Sequence, residues 1–378
     1  MFVFPRRPLA IGALLLTAPA VLLAQSTGAT PGTRGGAARA ITPTDISAWK
    51  SIRGATLSND GAWFAYTVAP NEGDAEVVIR QTASGGKEHR FPIGEAPAAA
   101  GGPPGGGGGT AALQLSGDGQ WAAMLVYPKA ADQKRMRRER RAVQSKLRLV
   151  NLGTGEAREF DKIRRFSFGG DSPKWVALQA YAPEAGGGGG GAGGGGGLPG
   201  AGAPGMGGNP IGGGGGRVDG TDLLLHELGT NAQFNVGNVG DFAFDDKGRW
   251  LSYTIDARDQ LGNGVQLRDL ASGTVKSIDA GKALYRRLAW TDTFPAFAYL
   301  KGTIDSAATD TTWSAAAVSR VGSPAQQMIA VGNGGTAALP TGMEVSPERT
   351  PRWLEQMDGL AIGLRVATPP VPKGEQLD

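Results

Sequence analysis

The 378 residues predict an all-β fold, a β-propeller of four-stranded blades with long Gly-rich loops, and three observations predict it. A first turn recurs as Asn59-Asp60-Gly61-Ala62-Trp63, Gly117-Asp118-Gly119-Gln120-Trp121, Asp171-Ser172-Pro173-Lys174-Trp175 and Asp245-Asp246-Lys247-Gly248 before Trp250. In each copy an Asp able to bond its own backbone precedes an aromatic strand. A second turn recurs as Thr82-Ala83-Ser84-Gly85, Leu152-Gly153-Thr154-Gly155, Leu228-Gly229-Thr230-Asn231 and Leu270-Ala271-Ser272-Gly273. Its last position holds only Gly or Asn, the residues that most readily take a left-handed backbone. The spacing is the third observation. Trp63 to Gly85 is 22 residues and Trp250 to Gly273 is 23, whereas Trp121 to Gly155 is 34 and Trp175 to Asn231 is 56, each excess matching an odd insert. The undisturbed repeat from Asp246 to Asp292 is 46 residues, close to the ~40 to 45 of a four-stranded blade.

Phe242 to Asp279 is the most complete unit, two hairpins in succession. Asp292 with Phe294-Pro295 is a worn fifth copy and Ser346-Pro347-Glu348 before Trp353 a partial sixth. Residues 41–366 therefore form the predicted propeller domain, with Gly-rich inserts at 94–110 and 185–216 and a basic insert at 129–141. The Gly-rich inserts have almost no side chain to bury and are expected to be loops between strands. Trp63, Trp121 and Trp250 are expected to be buried between strands.

Ahead of the domain, residues 1–24 read as a signal peptide. Arg6 and Arg7 precede an apolar run from Leu9 to Leu23, shorter than the roughly 20 residues of a spanning helix. Residues 25–40 form a flexible lead-in. The opening segment Ile41 to Lys50 fits either a short capped helix or an edge strand, and periodicity does not separate them. With no cysteine, disulfides, a thiolate nucleophile and a lipid-modified cysteine are excluded. The expectation is an exported protein, periplasmic or extracellular, with no membrane anchor after signal cleavage.

Net charge is +4, and much of the excess sits in Lys129 to Arg141, KAADQKRMRRERR. Without interleaved aromatics this run reads as a solvated helical insert rather than a nucleic-acid contact. The two histidines, His89 and His226, are 137 residues apart in predicted strands or turns, so no multi-histidine metal site is expected. Gly170-Asp171-Ser172-Pro173-Lys174 matches only the first half of a G-x-S-x-G nucleophile elbow. No Gly run is followed by Lys-Ser or Lys-Thr as in a phosphate loop. The sequence thus assigns no catalytic, cofactor-binding or metal-ligating residue.

The Ile41 to Lys50 segment, the unit Leu57-Ser58-Asn59-Asp60-Gly61-Ala62-Trp63-Phe64-Ala65-Tyr66 with its successors, and the Leu-x-Thr-Gly type turns carry a family likeness. Over about residues 41 to 365 they resemble the N-terminal β-propeller of exported prolyl oligopeptidase family serine peptidases, the branch that includes dipeptidyl- and acylaminoacyl-peptidases. Tol-type periplasmic propellers share the Asp-Gly turn with its aromatic strand. The resemblance implies a propeller that gates peptide substrates for an α/β-hydrolase domain with a Ser-Asp-His triad. That domain is expected to be missing here, residues 367–378 being a linker toward it and the chain alone being inactive. No family catalytic residue, nor the paired glutamates that hold a substrate amino terminus, maps onto a position of this sequence. The alternative is a stand-alone Tol-type binding module without catalysis, a six-bladed ring whose marker would be Ile41 to Ile52 beside Met343 to Val366 in one sheet.

Overall fold

The computed structural model describes residues 40–96, 112–183, 220–304, 311–332, 335, 337–354 and 359–367. The chain divides into two units, Met1–Thr42 and Pro43–Asp378, and the account that follows concerns the second. The signal peptide, nearly all of the lead-in and the linker, and most of both Gly-rich tracts, lie outside the described residues. No helix among those described is long and apolar enough to cross a membrane.

The opening segment is helix α1 (Pro43–Ala48), and strand β1 (Lys50–Leu57) begins at the segment's last residue. Blade one continues with β2 (Trp63–Pro70), β3 (Ala75–Gln81) and β4 (Glu88–Gly94), an antiparallel sheet in sequence order. Blade two is β5 (Leu113–Leu115), β6 (Trp121–Val126), β7 (Lys146–Asn151) and β8 (Ala157–Phe160), with helix α2 (Ala130–Arg138) between its second and third strands. Helix α2 is the basic insert, helical as expected.

Blades three and four share a strand. β9 (Ile163–Phe168), β10 (Trp175–Ala180), β11 (Thr221–Glu227), β12 (Gln233–Phe244), β13 (Trp250–Ile255), β14 (Gly264–Asp269) and β15 (Val275–Ala280) form one 7-stranded sheet. Gln233 to Val239 of β12 pairs with β11, and Val239 to Phe244 pairs with β13, so one strand closes blade three and opens blade four. Blade five is β16 (Leu284–Trp290), β17 (Phe297–Ile304), β18 (Thr311–Ser319) and β19 (Gln327–Gly332). The partial sixth unit is two short ladders, β20 (Met343–Val345) with β23 (Leu364–Val366) and β21 (Arg352–Trp353) with β22 (Leu360–Ala361). The fold is a β-propeller.

Hydrophobic burial is what stacks the blades. Trp63, Ala65 and Val77 of blade one bury against Ala122, Met124 and Val150 of blade two. Four further cores follow the same rule between successive blades, and the last joins Leu284, Leu300 and Trp313 of blade five to Val345 of the sixth unit. In each strand alternate residues face opposite neighbours. The Trp that opens the second strand points toward the following blade: Trp63, Trp250 and the partly buried Trp121 and Trp175 all belong to such cores. Trp63 and Trp250 are buried as expected, whereas Trp121 is only half-buried, its indole packing on the blade two–three core with its rim in solvent. Each buried aromatic of these cores contributes roughly 2 to 3 kcal/mol.

Candidate functional site

Both repeated turns have a definable geometry. At the first turn the backbone N–H of Ser58, Ser116, Gly169, Asp245 and Thr291 donates to the carbonyl of Trp63, Trp121, Trp175, Trp250 and Ala296 respectively. These five residues are equivalent anchors. Ser58 Oγ accepts the Trp63 N–H at 2.9 Å while donating to Asp60 Oδ1 at 2.5 Å, and Ser116 with Trp121 and Asp118 repeats both distances. In blade four Asp245 does the accepting directly, 2.6 Å from Trp250 N. Burial raises its carboxyl above the usual range against that bond. At the second turn Gly85, Gly155, Asn231 and Gly273 all have left-handed φ, between 62° and 79°, as the Gly/Asn column requires.

The anchors put the first strands in register, and β1 neighbours β5, β9 neighbours β12, and β12 neighbours β16 around the propeller axis. Four residues before each anchor stand Gly54, Ala112, Arg165, Asp241 and Arg287. Three of these lace adjacent blades together. Arg165 Nη2 donates to Asp241 Oδ1 and to the Phe242 carbonyl, both at 2.8 Å, with its guanidinium carbon 4.2 Å from the Phe242 ring centre. Asp241 Oδ2 accepts the Leu288 N–H of blade five at 3.1 Å. Arg287 Nε donates to the Pro347 carbonyl of the sixth unit at 2.6 Å. Arg287 does this with a φ of 58°, a left-handed conformation that costs an Arg about 1 kcal/mol.

One position further back stand Arg53, Arg164, Gly240 and Arg286. Among the described residues none of these three arginines has a carboxylate partner. Arg53 Nε reaches only Ser51 Oγ at 3.1 Å, and Arg286 lies 6.0 Å from the Trp313 ring centre. Arg164 Nε is buried with no hydrogen-bond partner. Burial first, and the adjacent Arg165 second, push the Arg164 guanidinium below its ordinary range, with Asp241 opposing. The first strands of the five blades together carry Lys50, Arg53, Arg164, Arg165, Arg286 and Arg287 against the single acid Asp241.

One end of this axis is pinched by the first turns. Asn59 Nδ2 of blade one bonds Asp171 Oδ1 of blade three at 3.3 Å. Between them Gly117 of blade two lies so close that a Cβ there would be 2.3 Å from the Asp171 carbonyl oxygen. Gly170 and Gly248 meet in the same way where blades three and four touch. The connections holding α2 and both Gly-rich tracts leave the strands at the opposite end, as the antiparallel order β1 to β4, β5 to β8 and β9 to β12 dictates.

The histidines belong to separate blades. His89 on β4 has its Nε2 buried without a partner, 6.0 Å from the Trp63 ring and 6.2 Å from the Phe91 ring. His226 on β11 is buried edge-on to Phe160, ring centres 5.0 Å apart, and burial lowers its basicity with help from Arg158. Ser172, in the partial elbow match, sits in the first turn of blade three. Among the described residues no three His, Asp or Glu side chains gather as a metal site. The first-strand arginines are what sequence reading missed. Only the hairpin anchors reveal that Arg53, Arg164 and Arg286 are equivalent.

No family model matches the sequence, and no curated protein matches it. Solved structures do match. The β-propeller domain of the trilobed protease from Pyrococcus furiosus, whose topology is called open velcro, is 8% identical with a TM-score of 0.37, over 72% of this chain and 70% of that one. A prolyl endopeptidase is 13% identical with a TM-score of 0.40, over 80% of this chain and 38% of that one. TolB from Acinetobacter baumannii is 10% identical with a TM-score of 0.32, over 70% of this chain and 51% of that one. Peptidase propellers and Tol-type proteins thus stand side by side. The chain spans 38% of the prolyl endopeptidase and 51% of TolB.

Proposed function

We propose that the chain is the peptide-handling propeller of an exported serine peptidase of the prolyl oligopeptidase type, with hydrolysis carried out by residues outside these 378. The observation that carries this reading is the run of arginines on the first strands, beside first turns that meet across blades. Such a run attracts and orients a small charged chain, and low-dielectric walls focus its field. His89 and His226 are held in different blades against aromatic rings. In this assembly the propeller limits what reaches the serine to short or unfolded peptides.

The stand-alone Tol-type module carries a structural marker, a sheet joining the start and end of the domain. Among the described residues β1 pairs only with β2, and β20 pairs only with β23. Isothermal titration of the purified chain with short alanine peptides tests the peptidase-type reading. Saturable binding that weakens with rising salt is expected, together with no turnover of chromogenic dipeptide or acyl-peptide substrates. Absence of any binding at low salt, or turnover blocked by a serine-directed inhibitor, contradicts the proposal.

A further inference from the structure

We infer that the first-strand arginines, centred on Arg164, form a reading site for the carboxyl terminus of an incoming peptide. The inference rests on the peptide-handling reading above and adds to it which end of the peptide is recognised. Arg164 stands on β9 beside Arg165, but Asp241 bonds only Arg165, through Oδ1 at 2.8 Å. The other Asp241 oxygen is taken by the Leu288 N–H. One acid therefore serves two adjacent guanidinium groups, and Arg164 is left with a buried Nε and no partner among the described residues. A half-covered guanidinium is costly without an acceptor, and a carboxylate matches its planar fork with two parallel bonds. Arg53 and Arg286 stand at the same count from the anchors of blades one and five, adding positive charge to those first strands.

The pinched end decides which part of a peptide meets this column. With Asn59 bonded to Asp171 and Gly117 packed between them, a chain entering from the opposite end arrives terminus first. A terminal ammonium is repelled by the arginines and a terminal carboxylate is held.

The test is calorimetric titration of the full chain with tetra-alanine, its C-terminal amide and its N-acetyl derivative. The free acid should bind, acetylation should leave its affinity unchanged, and amidation should weaken it roughly ten- to a hundredfold. R164Q should impose the same loss on the acid while leaving the amide unaffected, and R164K, which keeps charge without the fork, should fall between. R90Q, at an exposed pair on blade one, should change nothing. Because Arg164→Gln removes an uncompensated charge, its melting midpoint should hold or rise, which separates lost binding from lost fold. Equal binding of acid and amide, or wild-type affinity in R164Q, overturns the inference while the peptide-handling reading stands. No binding of any of the three peptides sinks that reading, and the inference with it.

Discussion

Replacing Asp279 by Ala should destabilise the protein by about 4 kcal/mol. Asp279, on the last strand of blade four, accepts from Tyr285 Oη at 3.2 Å, from Tyr299 Oη at 3.0 Å, and from Lys301 Nζ at 2.9 and 3.1 Å. All three donors belong to blade five, so the carboxylate is a clamp between sheets. Tyr285 and Tyr299 are 1% and 0% exposed, and each hydroxyl left without its acceptor costs about 1 to 3 kcal/mol. The Lys301 side chain is 31% exposed and can turn to water, so its share is smaller. K301M keeps both phenol bonds and should cost about 2 kcal/mol, with D279A/K301M losing less than the sum of the singles. Urea unfolding followed by tryptophan fluorescence measures all three. A D279A midpoint equal to wild type, or strict additivity in the double variant, refutes the clamp.

Four further outcomes follow from particular contacts. Burial, then Asp279, hold the Tyr285 and Tyr299 phenols well above their ordinary range. Unfolded phenols ionise first, so stability should be full below about pH 10 and fall above it, as alkaline unfolding monitored by phenolate absorbance will show. His226 goes the other way. Its basicity is lowered by burial, so stability should be intact above pH 6.5 and fall as pH drops below it, and H226Q should flatten that slope in acid denaturation. Gly94 has φ +64° and a Cβ there would lie 2.2 Å from the Tyr127 carbonyl; G94A should cost more than about 2 kcal/mol by thermal melting. S58A leaves the buried Trp63 N–H without its side-chain acceptor and should cost about 1 kcal/mol, with S116A behaving alike in the same melt.

The blade repeat was legible because turn chemistry is local. Gly85, Gly155, Asn231 and Gly273 announce a left-handed residue by type alone, and all four adopt it. The anchors were half-visible: Ser58-Asn59-Asp60-Gly61 and Ser116-Gly117-Asp118-Gly119 are the same motif, yet Asp245 and Thr291 do the job with different chemistry. The sharing of β12 between two blades left no trace in the sequence, and Asn238 takes φ 57° within the strand. Helix α2 was legible from charge, but not its mooring. Gln133 Nε2 donates to the carbonyls of Glu95 and Pro128 at 2.7 and 2.9 Å, and the Ala130 N–H donates to Asp74 Oδ1 at 2.7 Å. These are contacts between residues up to 56 apart in sequence.

The candidate site was the least legible part. First strands here are irregular: register breaks fall between Arg53 and Thr56, between Val239 and Phe242, and between Arg286 and Ala289. Strict alternation is therefore lost where the arginines stand. Without the hairpin anchors Arg53, Arg164 and Arg286 look like unrelated surface residues. They share their count from the anchors, and Asp241 is the one acid on those first strands.

Hydrogen–deuterium exchange of the full chain with and without saturating tetra-alanine tests the central claim most directly. The first strands carry the arginines of the proposed site, so a peptide held there must shield their backbone from solvent. The account predicts slowed exchange in residues 163–168, 239–244 and 284–290, with no change at the second turns around Gly85, Gly155, Asn231 and Gly273. Protection at those turns instead, with the first strands unaffected, would contradict it.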